Sequence, residues 1–400
     1  MIVEPFRGLR PRADLAEKIP SLPYDVLDST EARAVAHGDP YSFLHVVKAE
    51  IDLDPSIDPH DERVYAKARE NFVEMRSKGW LIRDPRPSYY LYQQRMGEHV
   101  QTGIVGAAAI ADYREGRIKR HEHTRADKED DRTRLTQEIG AQPGTVFLTY
   151  RDEPAIDGLT ADEMRRPATV DYLAKDGVTH ALWIVDDPER VARFHDAFRE
   201  IPASYIADGH HRAAAYARAA RTTGFLAAHF PASSLRILDY NRLVRDLGGL
   251  APADLFRRLA ASGCELVDPW PTRRPPRPGT FAIYLEHRWR LATLPPGPPG
   301  DPVAALDVSR LQDVVLGPIL GVGDPRSDPR ISFVGGIRGM EELERSVDSG
   351  RHALAIAMYP TSLRDVMRVA DTGGVMPPKS TWFEPKLRSG MVIRLLDGED

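Results

Sequence analysis

The chain has 400 residues, 42% hydrophobic and 28% charged, which allows a large buried core and excludes global disorder. Lys plus Arg number 54 against 59 Asp plus Glu, a net charge of −5, so the general electrostatic case for nucleic-acid binding is absent. The longest apolar run, 104–111, is far short of the ~20 residues of a membrane span. The opening MIVEPFRG lacks a signal-peptide pattern, and the single Cys264 excludes an internal disulfide or a multi-cysteine metal site. The expectation is a cytoplasmic globular protein of two or three domains, with no membrane and no nucleic-acid partner.

In chain order, Leu22-Pro-Tyr-Asp-Val26 and Asp39-Pro-Tyr-Ser-Phe43 read as structural anchors, each a turn with an aromatic. Apolar residues at three- and four-residue spacing predict helices over 60–79 and 127–140, stopped by Gly79 and Gly140. A third helix, 188–200, opens at Pro188. Strands are predicted at 89–94, 103–113, 145–150, 180–187 and 204–209. Ten of the 33 prolines fall between Pro269 and Pro302 and bracket one alternating segment, 281–294. Proline removes backbone donors and disfavours helix just before it, so 269–302 reads as stiff connections around one edge strand. Beyond it come an amphipathic helix at 307–320 and buried strands at 331–336 and 352–360, with a helix between them. The fold class is α+β, mixed sheets with helices. The expected domains are a core lobe at 1–268 with an N-terminal elaboration, a connection at 269–302, and a C-terminal α/β lobe at 303–400.

The sharpest segment is 204–220, SYIADGHHRAAAYARAA, an apolar strand that turns into an Ala-rich run across Asp208-Gly209-His210-His211-Arg212. Alanine is the strongest helix former, so 211–222 should be helical, with Gly224 as its stop. The first turn of a helix leaves free N–H groups and partial positive charge, a ready anion site. His210, His211 and Arg212 oppose the dipole there and stabilise nothing unless an anion sits among them. The alternative is a structural helix capped by Asp208, with both histidines exposed.

The second segment is 119–133, KRHEHTRADKEDDRT. An extended 118–124 puts Glu122 and Thr124 on one face and His121 and His123 on the other. A carboxylate beside a hydroxyl suits a general base with an orienting partner; the alternative is a solvated charge run. His121, His123, His210 and His211 could supply zinc ligands. The HEHTR histidines, however, are two apart rather than four as in HExxH, and no metal ligands are assigned. Neither a P-loop nor a strand–GxGxxG–helix signature occurs. In the third segment, 376–390, Lys379, Ser380, Thr381 and Lys386 form a cationic polar set. It could close over a phosphate or be a loop anchored by Trp382 and Phe383.

PYDV, DPYSFLHV, YYLYQQ, HEHT followed by DDR, YIADGHHRAAA and MPPKSTWFEPKLRSG occur in this order over nearly the whole chain. Together they resemble a large bacterial and archaeal family of unknown function with HExT, ADGHHR and KST motifs. The strand–DGHHR–helix element resembles the phosphate-binding motif of the ParB/sulfiredoxin superfamily. Within that superfamily it is similar to the free-serine kinases, whose DGHxR motif follows a catalytic glutamate. The resemblance implies a ParB/sulfiredoxin-like nucleotide-binding core with additional N- and C-terminal elements. It implies a kinase-like phosphotransferase that uses ATP or ADP with Mg²⁺ on a small hydroxylated molecule, free L-serine first among candidates. Glu122, Asp208 and His210 would be catalytic; Gly209, His211, Arg212, Thr124, Lys379 and Ser380 would hold the nucleotide. The alternative is a nucleotide-binding regulatory or switch protein, since the superfamily contains CTP-dependent clamps; a hydrolase using the histidines is a third. On this reading His210 and Arg212 face the main cleft, and Glu122 lies within ~10 Å of the 208–212 turn. Arg212→Ala is expected to lose nucleotide binding with little change in stability.

Overall fold

The computed structural model describes residues 1–219 and 222–396. The chain is of mixed α and β class and forms two compact units, Met1–Leu235 with Pro385–Asp400, and Arg236–Glu384. The second unit is thus an insertion into the first. The proline-rich stretch 269–302 lies inside the second unit, so it is not the division, and 303–400 is not a lobe of its own. The strands at the two ends of the insertion, Arg236–Leu238 and Trp382–Glu384, pair antiparallel with each other. No local composition signals such a long-range pairing.

The main sheet of the first unit has nine strands. With the helices that matter for the site they are β1 (Val3–Glu4), α1 (Glu62–Ser77), β2 (Tyr89–Met96), β3 (His99–Ala109), β4 (Ile118–Lys119), α2 (Ala126–Ile139) and β5 (Val146–Tyr150). There follow β6 (Val170–Leu173), β7 (Val178–Val185), α3 (Pro188–Arg199), β8 (Ser204–Asp208), α4 (His210–Ala219) and β9 (Gly224–Pro231). The sheet order is β4-β8-β5-β9-β3-β2-β7-β6, with β1 on β3. Pairing is antiparallel except between β4 and β8 and between β5 and β9.

Local chemistry explains the helix ends. Asp61 caps α1, and Asp187 with Pro188 opens α3. Gly140 ends α2 at φ 64°, the left-handed cap that glycine adopts without strain. The strand expected at 103–113 stops at Ala109 and gives way to a short helix, Ile110–Arg114. Buried Asp112 there accepts the Ile2 N–H at 2.7 Å and pairs with Arg117. Gly224 is not a helix stop; it begins β9, where a side chain would press on the Ala108 carbonyl at 3.1 Å. Of the predicted helix 211–222, residues 220 and 221 lie outside the described residues. Two clusters hold this unit together. In one, Phe194 and Phe198 of α3 and Ala213, Tyr216 and Ala217 of α4 pack with Leu148, Ile206 and Phe225 of the sheet. In the other, Phe72 of α1 and Leu135 and Ile139 of α2 meet the returning Ile393 and Leu395.

The second unit is built on a six-stranded sheet. Its order is Glu265–Val267, Arg288–Thr293, Thr280–Leu285, Leu354–Met358, Tyr240–Val244, Ile331–Gly335, antiparallel throughout. The expected single edge strand at 281–294 is a hairpin, and its first arm is interior to the sheet. Glu286 (φ 54°) and His287 (φ 58°) make the two-residue turn, a geometry usually taken by Asn and Gly. The alternation therefore read straight through it. The predicted helix 307–320 is an α-helix only over Asp307–Leu311, continued by a π-helical turn, Gln312–Leu316. Among the described residues no helix is long and apolar enough to cross a membrane.

Candidate functional site

Strand β8 pairs with β5 as far as Ile206 opposite Leu148. The register then shifts, so that Asp208 faces Phe147. Such a bulge re-aims the next side chain. Gly209 follows at φ 90°, and a Cβ there would lie 2.9 Å from Arg212 Nε; only glycine lets Arg212 fold back over the turn. The helix bonds at once, Ala213 N–H donating to Gly209 O at 2.9 Å. Asp208 Oδ1 accepts the Gly209 N–H at 2.8 Å. Its Oδ2 lies 3.1 Å from Lys386 Nζ and 3.6 Å from Arg212 Nη2. Burial alone would raise the Asp208 pKa. Lys386 and Arg212, then His210, outweigh it and hold the carboxyl well below the usual range.

Arg212 is 4% exposed. It donates to the Thr145 carbonyl, and its Cδ would be 3.3 Å from a Cβ at Gly144. Asp25 and Tyr24 of the PYDV segment also act on it electrostatically. The guanidinium is thus balanced by Asp208 within the fold and does not wait for an anion to offset the helix dipole. This corrects the expectation that its removal leaves stability unchanged. Arg212→Ala should destabilise the first unit by about 3 kcal/mol, the lower end of the cost of removing one partner of a buried pair. The lower end applies because Lys386 still pairs Asp208. Chemical denaturation of the variant checks it.

The HEHT segment is not extended beyond Lys119; β4 ends there and 120–125 is irregular. His121 is buried while His123 is exposed, so they do not share a face. The His121 ring stands edge-on to His210, centroids 4.5 Å apart at 86°. The His121 N–H donates to His210 Nε2 at 3.5 Å, which makes Nδ1 the protonated nitrogen of His210. That atom faces Glu122 Oε2 at 3.7 Å, an electrostatic contact too long for a hydrogen bond. Glu122 therefore sits within the expected distance of the turn, with half its side chain exposed. Burial, then His121, presses the His210 pKa well below its ordinary value, and burial takes His121 down to about 4. Both rings are neutral at pH 7. His211 is also lowered by burial, and its Nε2 accepts the Arg125 N–H at 3.1 Å. The histidines are therefore not cations crowding the dipole. Thr124 donates its hydroxyl to Glu129, so it does not orient Glu122.

The 376–390 segment does not act as one loop. Lys379 and Ser380 belong to the second unit. There Lys379 Nζ lies 5.6 Å from the Tyr240 ring centroid, and Ser380 Oγ donates to Pro377 O at 2.6 Å. Lys386, which the sequence placed in that cationic set without a role at the turn, belongs to the first unit and pairs with Asp208. Two buried glutamines fix its backbone. Gln94 Nε2 donates to Lys386 O at 2.9 Å, and Gln101 Nε2 donates to Pro385 O at 3.2 Å and to Gln94 Oε1 at 2.9 Å. The available signal was Gln94 and Gln101, buried polar groups on facing hairpin strands. Arg132 of the DDR string stacks on Tyr24, 4.0 Å from its centroid, and Asp25 acts on both His211 and Arg212. The PYDV segment therefore reaches the site as well as anchoring the fold. Among the described residues no group of three or more His, Cys, Asp and Glu is placed to hold a metal ion.

No curated protein matches the chain in sequence. Its fold is similar to a free serine kinase in complex with AMP, at 13% identity and TM-score 0.37, covering 73% of this chain and 91% of that one. It is similar to a conserved hypothetical protein from Pyrococcus furiosus (14%, 0.35, 74% and 97%). It is also similar to SbnI with a C-terminal truncation from Staphylococcus aureus (10%, 0.40, 74% and 90%). Likeness at this level says nothing about what the present chain binds. Residues 3–309 match the model of a family described as a protein of unknown function, and the chain accordingly belongs to that family, DUF1015.

Proposed function

We propose that the first unit is a ParB/sulfiredoxin-like nucleotide-binding core and that the chain is a kinase-like phosphotransferase. It moves a phosphoryl group from ATP or ADP to a small hydroxylated metabolite, free L-serine being the leading acceptor. One observation carries this reading: half-exposed Glu122 faces buried, neutral His210 at 3.7 Å, beside a helix start flanked by the cations Lys386 and Arg212. Phosphoryl transfer asks for positioning and charge neutralisation more than for covalent chemistry, and this cluster supplies both. The N–H groups of His210 and His211 with Lys386 take the phosphates, Gly209 leaves room for them to approach the backbone, His211 and Thr124 line their edge, and Arg212 fixes Asp208. Asp208, held ionised by two cations, is a poor base, which leaves Glu122 to receive the hydroxyl proton. The acceptor oxygen bonds to the terminal phosphorus, and the bond from phosphorus to the departing nucleotide oxygen breaks. The electron pair leaves with the nucleotide. Lys379 and Ser380 take no part.

Magnesium enters with the nucleotide. Asp208 has its oxygens on Gly209, Lys386 and Arg212, so the ion would be held mainly by phosphate oxygens and water, as is usual for this metal, which leaves Glu122 to the proton. When bound, the ion neutralises phosphate charge.

The test incubates the full chain with ATP or ADP and Mg²⁺, with and without L-serine, other hydroxylated amino acids and small alcohols. Product is followed by phosphorus NMR. Nucleotide consumption that needs one added acceptor and yields its phosphate ester is the expected result. Consumption without an acceptor means a switch or a hydrolase, and binding without consumption means a regulatory protein.

A further inference from the structure

The second unit contains a cavity of about 270 Å³, lined by Arg242, Ser309, Gln312, Leu316, Ile331 and Phe333 among others. Arg242 is 3% exposed. Its guanidinium donates only to the carbonyls of Tyr240 and Lys379 and lies 5.4 Å from the Phe333 centroid. Among the described residues no carboxylate pairs with it. Burial presses its pKa down to about 10, the mark of a buried cation without a counter-charge, which is costly to keep.

Two more polar groups on this wall lack partners. Ser309 is 7% exposed and its Oγ bonds nothing; Gln312 donates its amide N–H groups to Val322 O and Gly323 O, but its Oε1 accepts nothing. Buried groups of this kind are normally satisfied. Gln312 and Leu316 both lie on the π-helical turn, a distortion that recurs at ligand sites. A cation, a hydroxyl donor and a carbonyl acceptor therefore line one partly apolar space. Asp301 and Asp313, both exposed, also line it, and their charge disfavours a dianion such as phosphate.

We propose that this cavity binds a small monocarboxylate with an apolar body and a hydroxyl group. The carboxylate meets Arg242 and the Ser309 hydroxyl, the ligand hydroxyl donates to Gln312 Oε1, and the body packs on Leu316, Ile331 and Phe333. The site is separate from the phosphotransferase reading, and neither depends on the other.

The experiment titrates the full chain by calorimetry with 2-hydroxy-4-methylpentanoate, 4-methylpentanoate and inorganic phosphate. Saturable binding of the hydroxy acid, weaker binding of its deoxy analogue and none of phosphate are expected. Arg242→Gln should weaken binding roughly tenfold to a hundredfold, the worth of a hydrogen bond to a charged group. Ser309→Ala should lower affinity yet raise the melting temperature of the ligand-free chain, because it removes an unpaired buried hydroxyl. Ala304→Leu fills the cavity and should abolish binding, which keeps the test decisive where Arg242→Gln does not fold. Absence of saturable carboxylate binding would overturn the proposal, as would affinity unmoved by Ala304→Leu or tighter binding of phosphate. A hydroxyl that adds nothing would remove the Gln312 assignment.

Discussion

Lowering the pH from 7 to about 4 should unfold the first unit in dilute buffer, with its buried histidines starting the loss of stability above the range where ordinary carboxylates titrate. Four of its histidines are buried and held neutral. Burial takes His121 to about 4, His180 to about 3 with help from Arg388, and His229 to about 3; His210 lies well below its ordinary value. The sign follows from proton counting. Between the unfolded value of ~6.5 and the folded values, the unfolded chain binds protons that the folded chain refuses, so stability is present above ~6.5 and drains as pH falls. At ~1.4 kcal/mol per unit, His121, His180 and His229 each cost up to about 3 kcal/mol by pH 4. These three rings, with His210 acting in the same direction, rival the ~5–15 kcal/mol that holds a typical domain folded. His45 works in the other direction, since its hydrogen bond to Asp52 raises its pKa, but it is one group against four. Asp208 loses its contribution only below ~4, where its unfolded pKa lies. Denaturant titrations at pH 7, 5.5 and 4.5 measure the slope, and His229→Phe should flatten it by one ring's share. That ring is suitable because both its nitrogens lack partners and it packs 5.2 Å from Phe198. A stability flat from pH 7 to 5 would show that the native protein protonates these histidines after all.

What could be read in the sequence was local. Gly79 and Gly140 stop their helices at positive φ, and Asp187-Pro188 starts one, because cap chemistry acts over a few residues. The strand–turn–helix at 204–219 was legible for the same reason: an apolar run, a glycine that must reach φ 90° and an alanine run are adjacent. What escaped depends on distant partners. Lys386 meets Asp208 from 178 residues away, after an inserted unit that no composition shift announces. Arg212 looked like an isolated cation because the Thr145 carbonyl reaches it only when β5 and β8 pair, and Asp208, four residues back, reaches it only through the turn at Gly209. The alternation expected through 118–124 failed because a strand needs a neighbour, and β4 pairs with β8 for only two residues. The Glu286-His287 turn was missed because neither residue type advertises a left-handed backbone.

Glu122→Gln should leave the fold and nucleotide affinity nearly unchanged while lowering turnover by about 10²–10⁴, the usual worth of a positioned general base. The substitution keeps the shape of the side chain and an oxygen to face His210 Nδ1–H, so it disturbs little packing at a residue already half exposed. What it removes is the ability to take a proton. Asp208 cannot substitute, because Lys386 and Arg212 hold it ionised and a carboxylate stabilised in that way has low affinity for protons. His210 is no better placed: its Nε2 already accepts from the His121 N–H and its Nδ1 carries the hydrogen. The measurement pairs the rate of acceptor-dependent nucleotide consumption with a thermal-shift titration of ADP for wild type and variant. Loss of rate with an unchanged ADP shift identifies Glu122 as the base. Loss of both would make it a nucleotide ligand instead. An unchanged rate would remove it from the chemistry and, with it, the main support for a kinase built on this turn.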